Sequence, residues 1–94
     1  MSITIDGITF DQVVYDRDAD VLYLHVGDPS TAVDFDESPE GHALRFDGKG
    51  HVVGITLVRP RHLMQQGGPL TVTMPKPERV TIDPAMLSSA LDAV

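Results

Sequence analysis

Cysteine and tryptophan are both absent from the 94 residues, and aromatic residues make up only 5% of them. Without thiols there is no disulfide, no thiolate zinc site and no cysteine nucleophile, which fits a reducing compartment. No apolar run approaches the roughly 18 residues of a spanning helix. The N-terminus lacks the basic-then-apolar layout of a signal peptide. The expected localisation is therefore cytoplasmic, with no membrane contact. Basic residues are scarce as well, 7 against 14 acidic ones for a net charge of −7. Residues 1–58 hold 11 acidic and 3 basic side chains (net −8), and residues 59–94 carry a net +1. An acidic surface repels phosphate backbones and disfavours sequence-independent nucleic-acid binding. Its plain meaning is solubility, and its sharper one is a face for a basic protein partner.

What is present points to one small domain spanning residues 1–94. A core so limited is only marginally stable, on the order of 5–10 kcal/mol, so a homodimer is expected as a supplement. Ile3-Thr4-Ile5 and Ile8-Thr9-Phe10 alternate on either side of Asp6-Gly7, a pair suited to a tight hairpin turn. Asp11 to Val26 reads as a second hairpin. With Arg17 to Asp20 as its turn, Tyr15 stands opposite Leu22 and Val13 opposite Leu24. Those four share one face with Val26, while Val14, Val21, Tyr23 and His25 share the other. The second set is too apolar to face only water, and it is the candidate interaction face.

Ser38 to Gly41 and Asp47 to Gly50 have turn chemistry. Taken as four-residue loops, they pair Phe35 with Leu44, Val33 with Phe46, Leu44 with Val53 and Phe46 with His51. This places Val33, Phe35, Leu44, Phe46, Val53, Ile55 and Leu57 on one core face of a meander, with Asp34 beside Arg45 on the other. Residues 11–58 then form the hairpin and meander core, and residues 59–94 a C-terminal extension. Pro60 to Gln66 predicts a short helix stopped by Gly67-Gly68. Leu70 to Met74 alternates as a strand, Pro75-Lys76-Pro77-Glu78 interrupts it, and Arg79 to Ile82 is a candidate return strand. Asp83-Pro84 opens a helix over 84–93, whose Leu87, Ala90, Leu91 and Val94 make one apolar stripe. The fold class is α+β: an antiparallel sheet of successive hairpins, a short helix after the meander, and a C-terminal amphipathic helix.

Chemistry-bearing constellations are weak. Asp16, Asp18 and Asp20 have the spacing that opens a calcium loop, but Val21 and Gly27 stand where that loop needs glycine and glutamate. The register separates His25, His42, His51 and His62, so no three converge on a metal. No serine sits in a strand-to-helix elbow, and Gly48-Lys49-Gly50 is a hairpin turn without a phosphate cradle. Asp34, Asp36 and Glu37 read as an exposed acidic strand. Arg59, Arg61, His62, Lys76 and Arg79 are the only basic neighbourhood, with too few aromatics for a stacking platform. These residues give no catalytic group, cofactor or metal, and they point away from an enzyme.

At Tyr15-Asp16, Ala19-Asp20, Leu22-Tyr23-Leu24, Phe46-Asp47, Gly50 and Val52-Val53-Gly54-Ile55 the chain resembles domain-of-unknown-function family 2283, over about residues 13–60. The resemblance implies a compact sheet with a helix and no established activity. Members beside toxin-like genes suggest an antitoxin-like role, a property of neighbours. The family pattern has an acid where Arg45 stands and glutamate where Thr56 stands, so a function carried by those acids is lost here. The expected function is a non-enzymatic protein-interaction module. The alternative is a small-ligand binder or enzyme with a site across a homodimer, formed by His25, Tyr23 and nearby acids. A third reading, a regulator that meets nucleic acid through the basic C-terminal segment, would require salt-sensitive DNA binding.

Overall fold

The structure, a computed structural model, describes residues 1–67, 70–75 and 78–92. Strands β1 (Ile3–Ile5) and β2 (Ile8–Phe10) form the first hairpin. Its turn residues Asp6 and Gly7 both have positive φ, as the Asp-Gly pair leads one to expect. Next come β3 (Gln12–Asp16), β4 (Val21–His25), β5 (Asp34–Glu37), β6 (Ala43–Phe46) and β7 (Val52–Val58). They make a five-stranded antiparallel sheet in the order β3-β4-β7-β6-β5. Helix α1 (Pro60–Gln65) follows, then the hairpin β8 (Thr71–Met74) and β9 (Glu78–Thr81), and helix α2 (Pro84–Asp92). The α+β class and its antiparallel hairpins are as the sequence predicts. Gly68, Lys76, Pro77 and Val94, invoked above as helix stop, strand break and end of the apolar stripe, lie outside the described residues.

One face of the sheet is buried. Tyr15, Leu22, Leu24, Leu44, Ile55 and Leu57 project from it into a single cluster with Ile3, Ile5 and Phe10 of the first hairpin. Leu70, Val72, Met74 and Ile82 of the last hairpin join them, as do Leu87, Ala90 and Leu91 of α2. Each fully buried side chain of this size stabilises by about 1.5–3 kcal/mol. The amphipathic helix therefore docks on its own sheet. It shares that face with the two outer hairpins, and among the described residues no layer forms over the other face.

Tyr15 meets Leu22 and Val13 meets Leu24, as expected. The meander is a correction. Ser38 closes on His42, with Ser38 N–H donating to His42 O at 2.7 Å and His42 N–H to Ser38 Oγ at 3.1 Å. The loop is therefore Pro39-Glu40-Gly41, one residue shorter than the turn chemistry suggested. Phe35 now faces Arg45, and Asp36 faces Leu44. A slip of one residue reverses a strand's faces, so Val33 and Phe35 leave the core and stand 70% and 78% exposed. The proposed Asp34–Arg45 pairing is replaced by Asp34 opposite Phe46. At the next loop, Asp47 N–H donates to His51 O at 3.0 Å, which leaves Gly48-Lys49-Gly50 as the loop, again one residue shorter than expected. Phe46 then meets Val52, and a bulge beside Arg45 and Phe46 brings Leu44 opposite Ile55. The candidate return strand pairs as Val72 with Val80 and Met74 with Glu78, two residues out of step with an alignment through a five-residue loop, so Val80 still falls on the side of Val72.

The turn at Tyr15 to Asp20 is also a joint between sheet and helix. Arg59 N–H donates to Asp20 O at 2.7 Å, one step past the β4–β7 ladder. Arg59 then turns left-handed (φ 55°) and offers α1 no side-chain cap. Asp20 supplies it from a distance: its carboxylate accepts Arg61 N–H and His62 N–H, each at 3.1 Å, and Tyr15 Oη–H at 2.7 Å. Orphan amides at a helix start need such an acceptor. Burial pushes the Asp20 carboxyl up, but the Tyr15 hydroxyl, the two amides and the Arg61 charge outweigh it and hold the group below its ordinary value. Arg61 continues outward from this joint to Asp92 at 3.3 Å.

Candidate functional site

The uncovered face of the sheet is built from the alternate residues of each strand. One row across it runs Val14, Tyr23, Thr56, Ala43, Glu37, and the next runs Gln12, His25, Gly54, Arg45, Phe35. Val21 and Val58 meet in a third row beside Asp16. All four residues of the candidate interaction face thus belong to one surface. Val14 (58% exposed) and Tyr23 (45%) form a direct cross-strand pair, and Val21 is half-buried at one end. His25 differs: it is 6% exposed.

His25 packs where Gly54 has no side chain. A Cβ on Gly54 would lie 2.9 Å from His25 Cδ2 and 3.1 Å from Arg45 Cβ, so the glycine is what lets the imidazole and the arginine stem approach across β7. The imidazole Nδ1 lies 2.9 Å from Val26 O. A carbonyl can only accept, so Nδ1 carries the proton and neutral His25 keeps an acceptor lone pair on Nε2. Nε2 is buried and has no partner among the described residues. His25 lines a cavity of about 270 Å³ with Val14, Tyr23, Leu24, Pro29, Arg45 and Thr56. Pro29 arrives on a 3-10 turn (Pro29–Thr31), capped by Asp28, whose carboxylate accepts Ser30 N–H at 2.9 Å. Among the described residues Arg45 forms no ion pair.

The other groups weighed from the sequence lie apart. Asp16 accepts Asp18 and Ala19 amides in its turn, and Asp20 is engaged in the joint, so the three aspartates do not share an ion. His51 pairs with Asp47 at 3.5 Å, and His62 bonds Gln66 at 3.1 Å. His42 is buried, its Nδ1 accepting Val58 N–H at 3.0 Å. Among the described residues no three metal-ligating side chains come together. Arg61 is held by Tyr15, Asp92 and the Leu91 carbonyl, which removes it from any basic patch.

Along β5 the acids have a local role. Because Ser38 N–H points to β6, alternation turns the Phe35 and Glu37 amides to the open edge. There they donate to Asp34 Oδ1 and Asp36 Oδ1, both at 2.8 Å. An edge whose donors are already met by carboxylates is a poor template for another strand. The face, and not the edge, is left open.

Sequence reasoning placed Arg45 on the side away from the core, where it stands, and missed three members of this surface: Phe35, Thr56 and Val58. Thr56 and Val58 follow from the alternation of β7 and could have been named from it. Phe35 depends on the closing pair Ser38–His42, which no turn residue announces. No curated protein and no solved structure matches the chain. A family model matches residues 12–59, which run from the first residue of β3 to the Arg59 that closes the joint with Asp20. The matched residues are thus those of the five-stranded sheet, and the chain belongs to the family described as protein of unknown function (DUF2283).

Proposed function

We propose that the chain is a non-enzymatic protein-interaction module that works through the open face around Val14, Val21, Tyr23 and His25. The supporting observation is the exposure of Val14, Tyr23 and Phe35 on the sheet face turned away from the core, over which the described residues form no second layer. Exposed large apolar side chains gathered on one face mark interaction sites. A regulatory or antitoxin-like role would be a partnership of this sort. Asp34, Asp36 and Glu37 border the face and suit a basic partner, whose association would weaken with salt. Tyr23→Asp is expected to change folding stability by less than about 1 kcal/mol, as for other exposed positions. The same variant should lose the stoichiometric protein that co-purifies with the wild-type chain from its native host. A wild-type chain that recovers no stoichiometric partner, neither another protein nor itself, contradicts the reading.

A second reading, a small-ligand site, draws on one observation: the unpartnered His25 Nε2 beside Arg45 in the cavity. An acceptor nitrogen, a cation and apolar walls suit a small carboxylic acid that bears one donor group. Titration with 4-hydroxybenzoate should then shift the His25 ring signals saturably. Unmoved signals at millimolar ligand remove this reading.

A further inference from the structure

We propose that the outer edge of β3 takes an added strand, an extended basic segment of another protein. This edge and the open face are separate surfaces, which meet only at the outward side chains of β3. In the five-stranded sheet β3 and β5 are the two edges. Val26 N–H donates to Val53 O at 2.8 Å and Arg59 N–H to Asp20 O at 2.7 Å, both in step with the β4–β7 ladder. Leu22 and Leu24 therefore bond to β7, and Val21, Tyr23 and His25 bond to β3 through Asp16, Val14 and Gln12. That leaves the N–H and C=O of Val13 and Tyr15 turned out of the sheet, and among the described residues these groups have no partner. The side chains of Val13 and Tyr15 stay on the core side, so what the edge offers is main chain.

The two edges are finished differently. On β5 the outward amides of Phe35 and Glu37 are already met by Asp34 and Asp36. On β3 no carboxylate does this: Asp16 Oδ1 accepts the turn amides of Asp18 and Ala19, and Asp11 accepts Gly27 N–H at 2.8 Å. Nor does β3 carry a proline, a lysine or a bulge, the devices that keep edges from pairing. Donors and acceptors alternating along a regular strand are matched by another extended main chain. Such a strand would set its own alternate side chains beside Gln12, Asp16 and Val14, which is 58% exposed. Charge selects its composition. Asp11, Asp16 and Asp18 are exposed about this edge, and Arg17 between them is turned to the Leu91 carbonyl at 3.4 Å. Lysine or arginine at the ends of the segment suits these acids, whereas the net charge of −7 disfavours a second copy of the chain.

Two-dimensional NMR of the full chain, titrated with a short peptide of alternating valine and threonine flanked by lysines, tests the edge. The Val13 and Tyr15 amide protons should move downfield saturably and exchange more slowly with water, while the Phe35 and Glu37 amides stay still. The same peptide flanked by glutamates should bind roughly 10-fold more weakly, and so should the lysine peptide with a methylated backbone. Unmoved Val13 and Tyr15 amides at millimolar lysine peptide overturn the added strand. Equal binding by the backbone-methylated peptide overturns it as well, because side chains alone then suffice. Equal binding by the glutamate peptide overturns the basic occupant. Shifts at Tyr23, Thr56 and Phe35 with Val13 and Tyr15 silent keep the open face as the interaction surface and overturn the edge. Movement of Val13 and Tyr15 when the chain alone is concentrated makes a second copy the occupant, against this proposal.

Discussion

Asp20→Ala is expected to destabilise the fold by about 4 kcal/mol in urea unfolding, most of the stability of a domain this size. Three donors lose their acceptor at once: the Tyr15 hydroxyl and the first two free amides of α1. Hydrogen bonds to a charged group contribute about 1.5–3 kcal/mol each, and they are not additive within one network. Alanine also fits the left-handed backbone at Asp20 (φ 53°) poorly, at a further cost of about 1–2 kcal/mol. Asp20→Asn keeps an acceptor oxygen and tolerates that backbone, so its loss should stay near 1–2 kcal/mol. Equal losses for the two variants, or a loss below about 1 kcal/mol for alanine, would show that the joint does not hold α1 to the sheet.

The second large effect is expected at His42. β6 ends at Ala43, so Val58 at the end of β7 has no β6 carbonyl opposite, and the imidazole Nδ1 takes that place. His42→Ala leaves the part-buried Val58 amide unpaired and a cavity in place of a fully buried side chain, together about 3 kcal/mol. His42→Gln returns an acceptor and should recover part of the loss. Burial holds the His42 imidazole below its ordinary 6.5, and the nearby Glu40 charge only partly opposes that. A folded-state value below the unfolded one means the unfolded chain binds the proton more readily. The stability His42 contributes is therefore complete above pH 6.5 and is lost as pH falls through the lowered folded value. Glu40 follows at lower pH. Burial raises its carboxyl, yet the Thr73 hydroxyl (2.6 Å) and amide (2.9 Å) bring it down to about 2, so its share is complete above pH 4.5 and fades towards about 2. Urea midpoints between pH 7 and 5 should fall for the wild type and flatten for His42→Ala. An unchanged slope in the variant would assign the acid sensitivity elsewhere.

How much of this was legible depended on whether the turn residues also close the loop. Asp6-Gly7 did, and the register of β1 with β2 follows from it. Arg17 to Asp20 did as well, so the faces of β3 and β4 could be assigned, and with them Val14, Val21, Tyr23 and His25 as outward residues. Ser38 to Gly41 has equally good turn chemistry, but there the closing bonds come from Ser38 itself, and one residue moved from loop to strand. That single residue reverses β5 and turns Phe35 from an apparent core residue into the most exposed large apolar side chain of the sheet. The mutual agreement of two assumed loop lengths was consistency without closure. The joint at Asp20 was out of reach for a different reason: its partners are 41 and 42 residues away, and no local pattern signals a cap supplied from across the sheet.

One face of the sheet makes the core, and the proposed function gives the other face to a partner. Amide chemical shifts of the full chain, followed by two-dimensional NMR across a dilution series, test that division most directly. Movement confined to outward positions, Val14, Tyr23, Thr56 and Phe35, with Tyr15, Leu22 and α2 unmoved, is the predicted result. Movement on the side of the two outer hairpins and α2, with the open face silent, would contradict it.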